Sequence, residues 1–119
     1  VFLADGFEEI EGLTVVDILR RADIKVEMVS VTGNREIHGA HEINVQADTL
    51  FEEANFENAE MLVLPGGMPG TIHLQEHKGL EALLRKFALP RLFLESWDFW
   101  KAERLPVIRR WRKVCSVQM

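Results

Sequence analysis

Three carboxylates, Glu8, Glu9 and Glu11, follow a short apolar run and the turn signal Asp5-Gly6. A carboxylate at the mouth of a strand can orient a nucleophile or hold a proton for a reacting group. The same acids also suit the first turn of a helix, where the positive end of the helix dipole favours them. A second candidate is Pro65-Gly66-Gly67. Paired glycines let backbone N–H groups approach a reacting atom and hold a developing oxyanion, or they simply end a strand. The pair fits neither the dinucleotide fingerprint nor the Walker phosphate loop, so no cofactor is expected. Of the histidines His38, His41, His73 and His77, the last two have the i, i+4 spacing of paired metal ligands on a helix. Gly70-Thr71 before them and Gly79 after them favour solvated loop histidines instead, and no metal site is expected. Cys115 sits in Lys113-Val114-Cys115-Ser116-Val117, without the small residues of a nucleophile turn, and reads as an incidental thiol.

These groups need a frame. The apolar residues 1–4 read as the end of a buried strand. Over residues 8–22, Ile10, Leu13, Val15 or Val16, Ile18, Leu19 and Ala22 recur at helical spacing, with acids first and Arg20-Arg21 last, which predicts an amphipathic helix. Residues 25–31 predict a strand with Val26 and Met28 inward and Lys25, Glu27 and Ser30 outward. Residues 35–37 and 42–45 suit a small antiparallel excursion, and 48–58 a short helix or turn. Residues 61–64 predict a buried strand and 79–88 a helix through Leu80, Leu83, Leu84 and Phe87. Alternating strands and helices imply a parallel sheet whose ligands bind beyond the carboxyl ends of the strands. That rule singles out the loops 5–11 and 65–70.

With 119 residues, 47% hydrophobic and 28% charged, the chain suits one small globular domain. No apolar run nears the roughly 18 residues of a membrane span, and no basic leader is evident, so a cytoplasmic protein is expected. A single cysteine agrees with a reducing compartment. Charge is unevenly spread: residues 1–88 hold 7 basic and 16 acidic groups, a net −9, whereas 89–119 hold 7 and 3, a net +4. Trp97, Trp100 and Trp111 also fall in the second stretch, so composition changes abruptly near Ala88.

The words Phe2-Leu3-Ala4-Asp5-Gly6-Phe7-Glu8-Glu9-Ile10-Glu11 and Leu62-Val63-Leu64-Pro65-Gly66-Gly67-Met68-Pro69-Gly70, with Val15-Val16-Asp17-Ile18-Leu19-Arg20-Arg21-Ala22 between them, resemble the ThiJ/PfpI family, the superfamily of the Parkinsonism-associated deglycase. The likeness covers residues 1–88. It implies an α/β, flavodoxin-like (class I glutamine amidotransferase-like) three-layer sandwich with a parallel sheet, here truncated. It also implies a homodimer and a cysteine-dependent glyoxalase or deglycase chemistry on small carbonyl substrates; some relatives carry thiamine-biosynthesis or peptidase labels. By motif, Glu11 matches the carboxylate that hydrogen-bonds the cysteine, and Gly66 and Gly67 match the backbone N–H groups of the oxyanion site.

The family pattern calls for a buried strand ending in that cysteine after Phe87-Ala88, but Leu89-Pro90-Arg91-Leu92-Phe93-Leu94 follows instead. Reading the third base of each codon with the first two of the next forces Gly from Trp97-Asp98, Leu from Phe99-Trp100 and Glu from Trp100-Lys101. Permitted choices around them resemble the family's segment downstream of the nucleophile. The expectation is a partial domain over 1–88, an out-of-frame tail over 89–119 and a chain without catalytic activity. The alternatives are a non-catalytic binding or dimerisation module and, less favoured, a basic tail that binds nucleic acid.

Overall fold

The apolar run at residues 1–4 has no polar face to offer water, so any strand built from it must be covered on both sides. Strand β1 (Phe2–Leu3) meets that demand through the two-residue alternation of its side chains. Val1 and Leu3 enter one core with Phe7, Val15, Val16, Ile37 and Ala47. Phe2 and Ala4 enter another with Val29, Leu74 and Leu80.

The structure is a computed structural model that describes residues 1–88. The elements after β1 are α1 (Glu9–Arg21), β2 (Val29–Ser30), β3 (Glu36–His38), β4 (Asn44–Gln46), β5 (Thr49–Leu50), α2 (Gly70–Glu76) and α3 (Lys78–Ala88). Strands β1, β2 and β5 form a parallel sheet in that order, with Phe2 opposite Val29 and Val29 opposite Thr49. Strands β3 and β4 pair antiparallel, Ile37 facing Val45, as expected for the excursion. Helix α1 and the β3–β4 pair cover one side of the sheet, and α2 and α3 cover the other. Over the described residues this is the expected α/β, three-layer, flavodoxin-like arrangement. The tail reading and Cys115 lie outside the described residues.

Several expectations are corrected. In α1 the buried residues are Glu9, Gly12, Val15 and Val16, whereas Ile10 and Ile18 are 74% and 56% exposed. Spacing alone does not tell which apolar stripe meets the core, and the small Gly12 lets α1 approach the Phe7 ring and Leu3. Strand β2 is shorter than 25–31 because the Asp48 carboxylate takes the Met28 N–H at 2.8 Å, where a ladder carbonyl would otherwise sit. Ser30 points inward, fully buried, with its hydroxyl satisfied by the Asn34 carbonyl at 2.5 Å. The third strand of the sheet is β5, within a stretch read as helix or turn. Residues 61–64 form no strand ladder and are not fully buried: Met61 and Leu64 are 45% and 37% exposed. The segment is still extended beside β1, whose Phe2 N–H donates to the Val63 carbonyl at 2.9 Å. Its outer side has no strand partner among the described residues.

Of the two histidines expected in a loop, His73 is helical and His77 is the single residue between α2 and α3. His73 lies in α2, and its Nδ1–H donates to the Asp5 carbonyl at 2.9 Å. His77 ends α2 and accepts the Leu80 N–H on its Nδ1 at 3.0 Å, satisfying an amide in the first turn of α3. Its ring also packs edge-on against Phe51, 4.6 Å between centroids.

Leu80 is completely buried, so Leu80→Ala should cost about 2–5 kcal/mol of stability. Ile18→Ser, on the open side of α1, should change it by less than about 0.5 kcal/mol. Urea unfolding followed by circular dichroism checks both.

Candidate functional site

The loops 5–11 and 65–70, far apart in sequence, meet beyond the end of β1. The Glu8 N–H donates to the Gly66 carbonyl at 2.8 Å, and the Gly70 N–H to the Gly6 carbonyl at 3.1 Å. The Gly66 N–H in turn donates to Glu11 Oε2 at 2.5 Å. Glu11 and Gly66 are therefore brought into direct contact, joined by a charge-assisted hydrogen bond of the short, strong kind. Glu11 is otherwise exposed, and its second oxygen has no hydrogen-bond partner among the described residues.

Gly67 completes the corner with φ of +99°, a backbone region that side chains avoid. A Cβ there would run into the backbone of Gly6, Phe7 and Glu8. Its carbonyl accepts from the Thr71 N–H at 2.9 Å and the Thr71 hydroxyl at 2.8 Å, which ties the loop to the start of α2. Glycine at this position is thus required twice, for its conformation and for the close approach of the two loops.

Glu9 serves differently. It is 4% exposed, and its carboxylate accepts the His41 N–H at 2.7 Å on Oε1 and faces His41 Nδ1 at 2.8 Å on Oε2. Glu8 Oε1 approaches the same ring nitrogen at 3.7 Å. Burial pushes the Glu9 carboxyl up, but the hydrogen bonds from the His41 ring and backbone outweigh it and hold the group down at about 2. The hydrogen bond to Glu9, with the charges of Glu8 and Glu9, raises His41 above its ordinary value. Among the described residues, Glu8, Glu9 and His41 are the one group whose donor atoms all lie within 4.8 Å of one another. Both Glu9 oxygens are already engaged by His41, through its backbone N–H and its ring.

The first-turn acids do more than face the helix dipole. They sit at the positive end of α1, and Glu9 and Glu11 each also hold a specific donor from another part of the chain. The Glu9–His41 pair was missed by sequence reasoning, since 32 residues separate its members and no local spacing marks it.

A model described as the DJ-1/PfpI family matches residues 1–91. The chain is 35% identical over 86 residues to Protein DJ-1 homolog A of Arabidopsis thaliana, covering 72% of this chain and 22% of that one. It is 33% identical over 85 residues to Protein dj-1beta of Drosophila melanogaster, covering 71% and 46%. The solved structure of oxidized Toxoplasma gondii DJ-1 matches with a TM-score of 0.72 at 30% identity, covering 75% and 48%. The chain spans about half, or less, of the length of these relatives.

Glu11→Gln should replace the charge-assisted bond with a neutral one and speed hydrogen exchange of the Gly66 amide by roughly tenfold, read by NMR. Gly67→Ala should cost on the order of 1–3 kcal/mol, measured as a lowered urea midpoint.

Proposed function

Because the chain belongs to the DJ-1/PfpI family, we propose that residues 1–88 hold the acid and amide half of a cysteine-dependent site of glyoxalase or deglycase type. Its substrates would be small oxoaldehydes or glycated groups. The observation that carries this reading is the 2.5 Å bond between Glu11 and the Gly66 N–H, which sets one free carboxylate oxygen at the mouth of the sheet. In such a reaction a thiolate attacks the substrate carbonyl, and a neighbouring carboxylate orients the thiol and exchanges protons with it. Glu11 suits that task. The Gly66 N–H is committed to Glu11, which leaves Gly67 as the donor for the developing oxyanion.

The chain as it stands is proposed not to turn over these substrates. Its one cysteine, Cys115, is surrounded by Lys113, Val114, Ser116 and Val117 rather than by the small residues of a nucleophile turn. Residues 89–119 are proposed to be read out of frame, with the nucleophile strand lost at the junction. The charge reversal and the tryptophans after Ala88 support this. No helix among the described residues is long and apolar enough to cross a membrane, and the reading sets the protein in the cytoplasm.

A non-catalytic binding or dimerisation module is the second reading. It draws on Ile10 and Ile18 of α1 and Ile43 of the β3–β4 turn, large apolar side chains that stand more than half exposed. Its partner would be a second copy of the chain.

Incubation of the full chain with methylglyoxal should show no loss of substrate beyond that in buffer, and Cys115→Ser should behave identically. Turnover that survives Cys115→Ser would refute the inactivity. Resequencing the gene across the codons for residues 87–93 should return the junction as it stands; an uninterrupted frame with a cysteine strand would make this an ordinary enzyme of the family.

A further inference from the structure

The β3–β4 turn is held over the start of α1 by main-chain bonds and by one side chain whose charge depends on pH. Within the turn, the Gly39 N–H bonds the Ile43 carbonyl at 3.0 Å. Two backbone bonds then reach outward: Ala40 N–H to the Phe7 carbonyl at 2.9 Å and His41 N–H to Glu9 Oε1 at 2.7 Å. Gly39 lies directly over the Glu9 carboxylate, where a Cβ would collide with it. The turn thus closes on a buried anion.

Facing the His41 ring are Glu8 and Glu9 from α1, two carboxylates against a single imidazole. Glu42 follows His41 in the chain, and His38, the last residue of β3, has its ring engaged with Asn44 Oδ1 at 2.7 Å. A neutral ring still leaves Glu9 its backbone donor but removes the cation that, among the described residues, pairs with the two acids.

We propose that His41 is a proton-dependent clasp that fastens the β3–β4 turn to the loop carrying Glu8, Glu9 and Glu11. Protonated, it neutralises the buried Glu9 and holds the turn closed; deprotonated, it leaves two carboxylates facing an uncharged ring and the turn opens more often. The clasp does not depend on the catalytic reading of Glu11.

The sign follows from linkage. The folded His41 value is raised, so its contribution is complete below the ordinary histidine value near 6.5 and is lost as pH rises through the folded value. Glu9 is lowered, so its contribution is complete above 4.5 and is lost only as pH falls toward about 2.

The test is an NMR titration of the full chain that follows the His41 ring together with hydrogen exchange of the Ala40 and His41 amides, corrected for intrinsic rates. Protection should fall as His41 deprotonates, by up to about tenfold for each unit by which its folded pKa exceeds 6.5. His41→Arg, charged throughout, should keep protection level across the same range, and His41→Gln should show the low, alkaline level at every pH. Protection that ignores the His41 titration, or an arginine variant that follows the wild-type profile, would overturn the proposal. Should His41→Gln fail to fold, the wild-type and arginine profiles decide it alone.

Discussion

The structure depends on the burial of β1 from both sides. Val1 and Leu3 face α1 and the β3–β4 pair, and Phe2 and Ala4 face α2 and α3, so one short run of chain contributes to both cores. Fully burying a large apolar side chain is worth about 1.5–3 kcal/mol. Phe2 and Leu3 are both almost completely inaccessible, and they bind the three layers into one unit. The parallel pairing with β2 and the hydrogen bond to Val63 then fix the direction in which β1 points its carboxyl end.

What lies beyond that end follows from backbone more than from side chains. Four main-chain groups, of Gly6, Glu8, Gly66 and Gly70, pair across the gap between the two loops. Gly67 turns the corner in a conformation open to few other residues. The acids ride on this frame. Glu11 receives an amide from the opposite loop, and Glu9, two residues earlier and on the buried side of α1, receives the turn between β3 and β4. Two acids of the same helical turn thus hold two different parts of the molecule.

The likeness to DJ-1/PfpI proteins covers the sheet, its helices and the two loops that meet beyond β1, and the described fold does the same. Residues 61–64 show what this leaves unfilled. The segment runs along β1 with Leu62 in one core and Val63 against the other, yet Met61 and Leu64 stay partly open because no strand among the described residues lies on its outer side. An apolar strand of a parallel sheet is ordinarily covered on both faces and paired on both edges.

The sequence by itself determined the type of most elements, since hydrophobic patterning is a local property: α1, α3, the β3–β4 excursion and the buried strand at residues 1–4 were all legible. The family words singled out Glu11, Gly66 and Gly67, and the fold joins Glu11 to the Gly66 N–H. Tertiary structure decided which stripe of α1 is buried, because Ile10 and Ile18 are as apolar as Val15 and Val16 and only the position of the sheet separates them. It also decided that His73 and His77 cap and tie helices, that Asp48 ends β2 early, and that Glu9 pairs with His41. Each of these is a hydrogen bond or contact made outside the run of residues whose spacing was being read, and spacing along the chain carries no information about such partners.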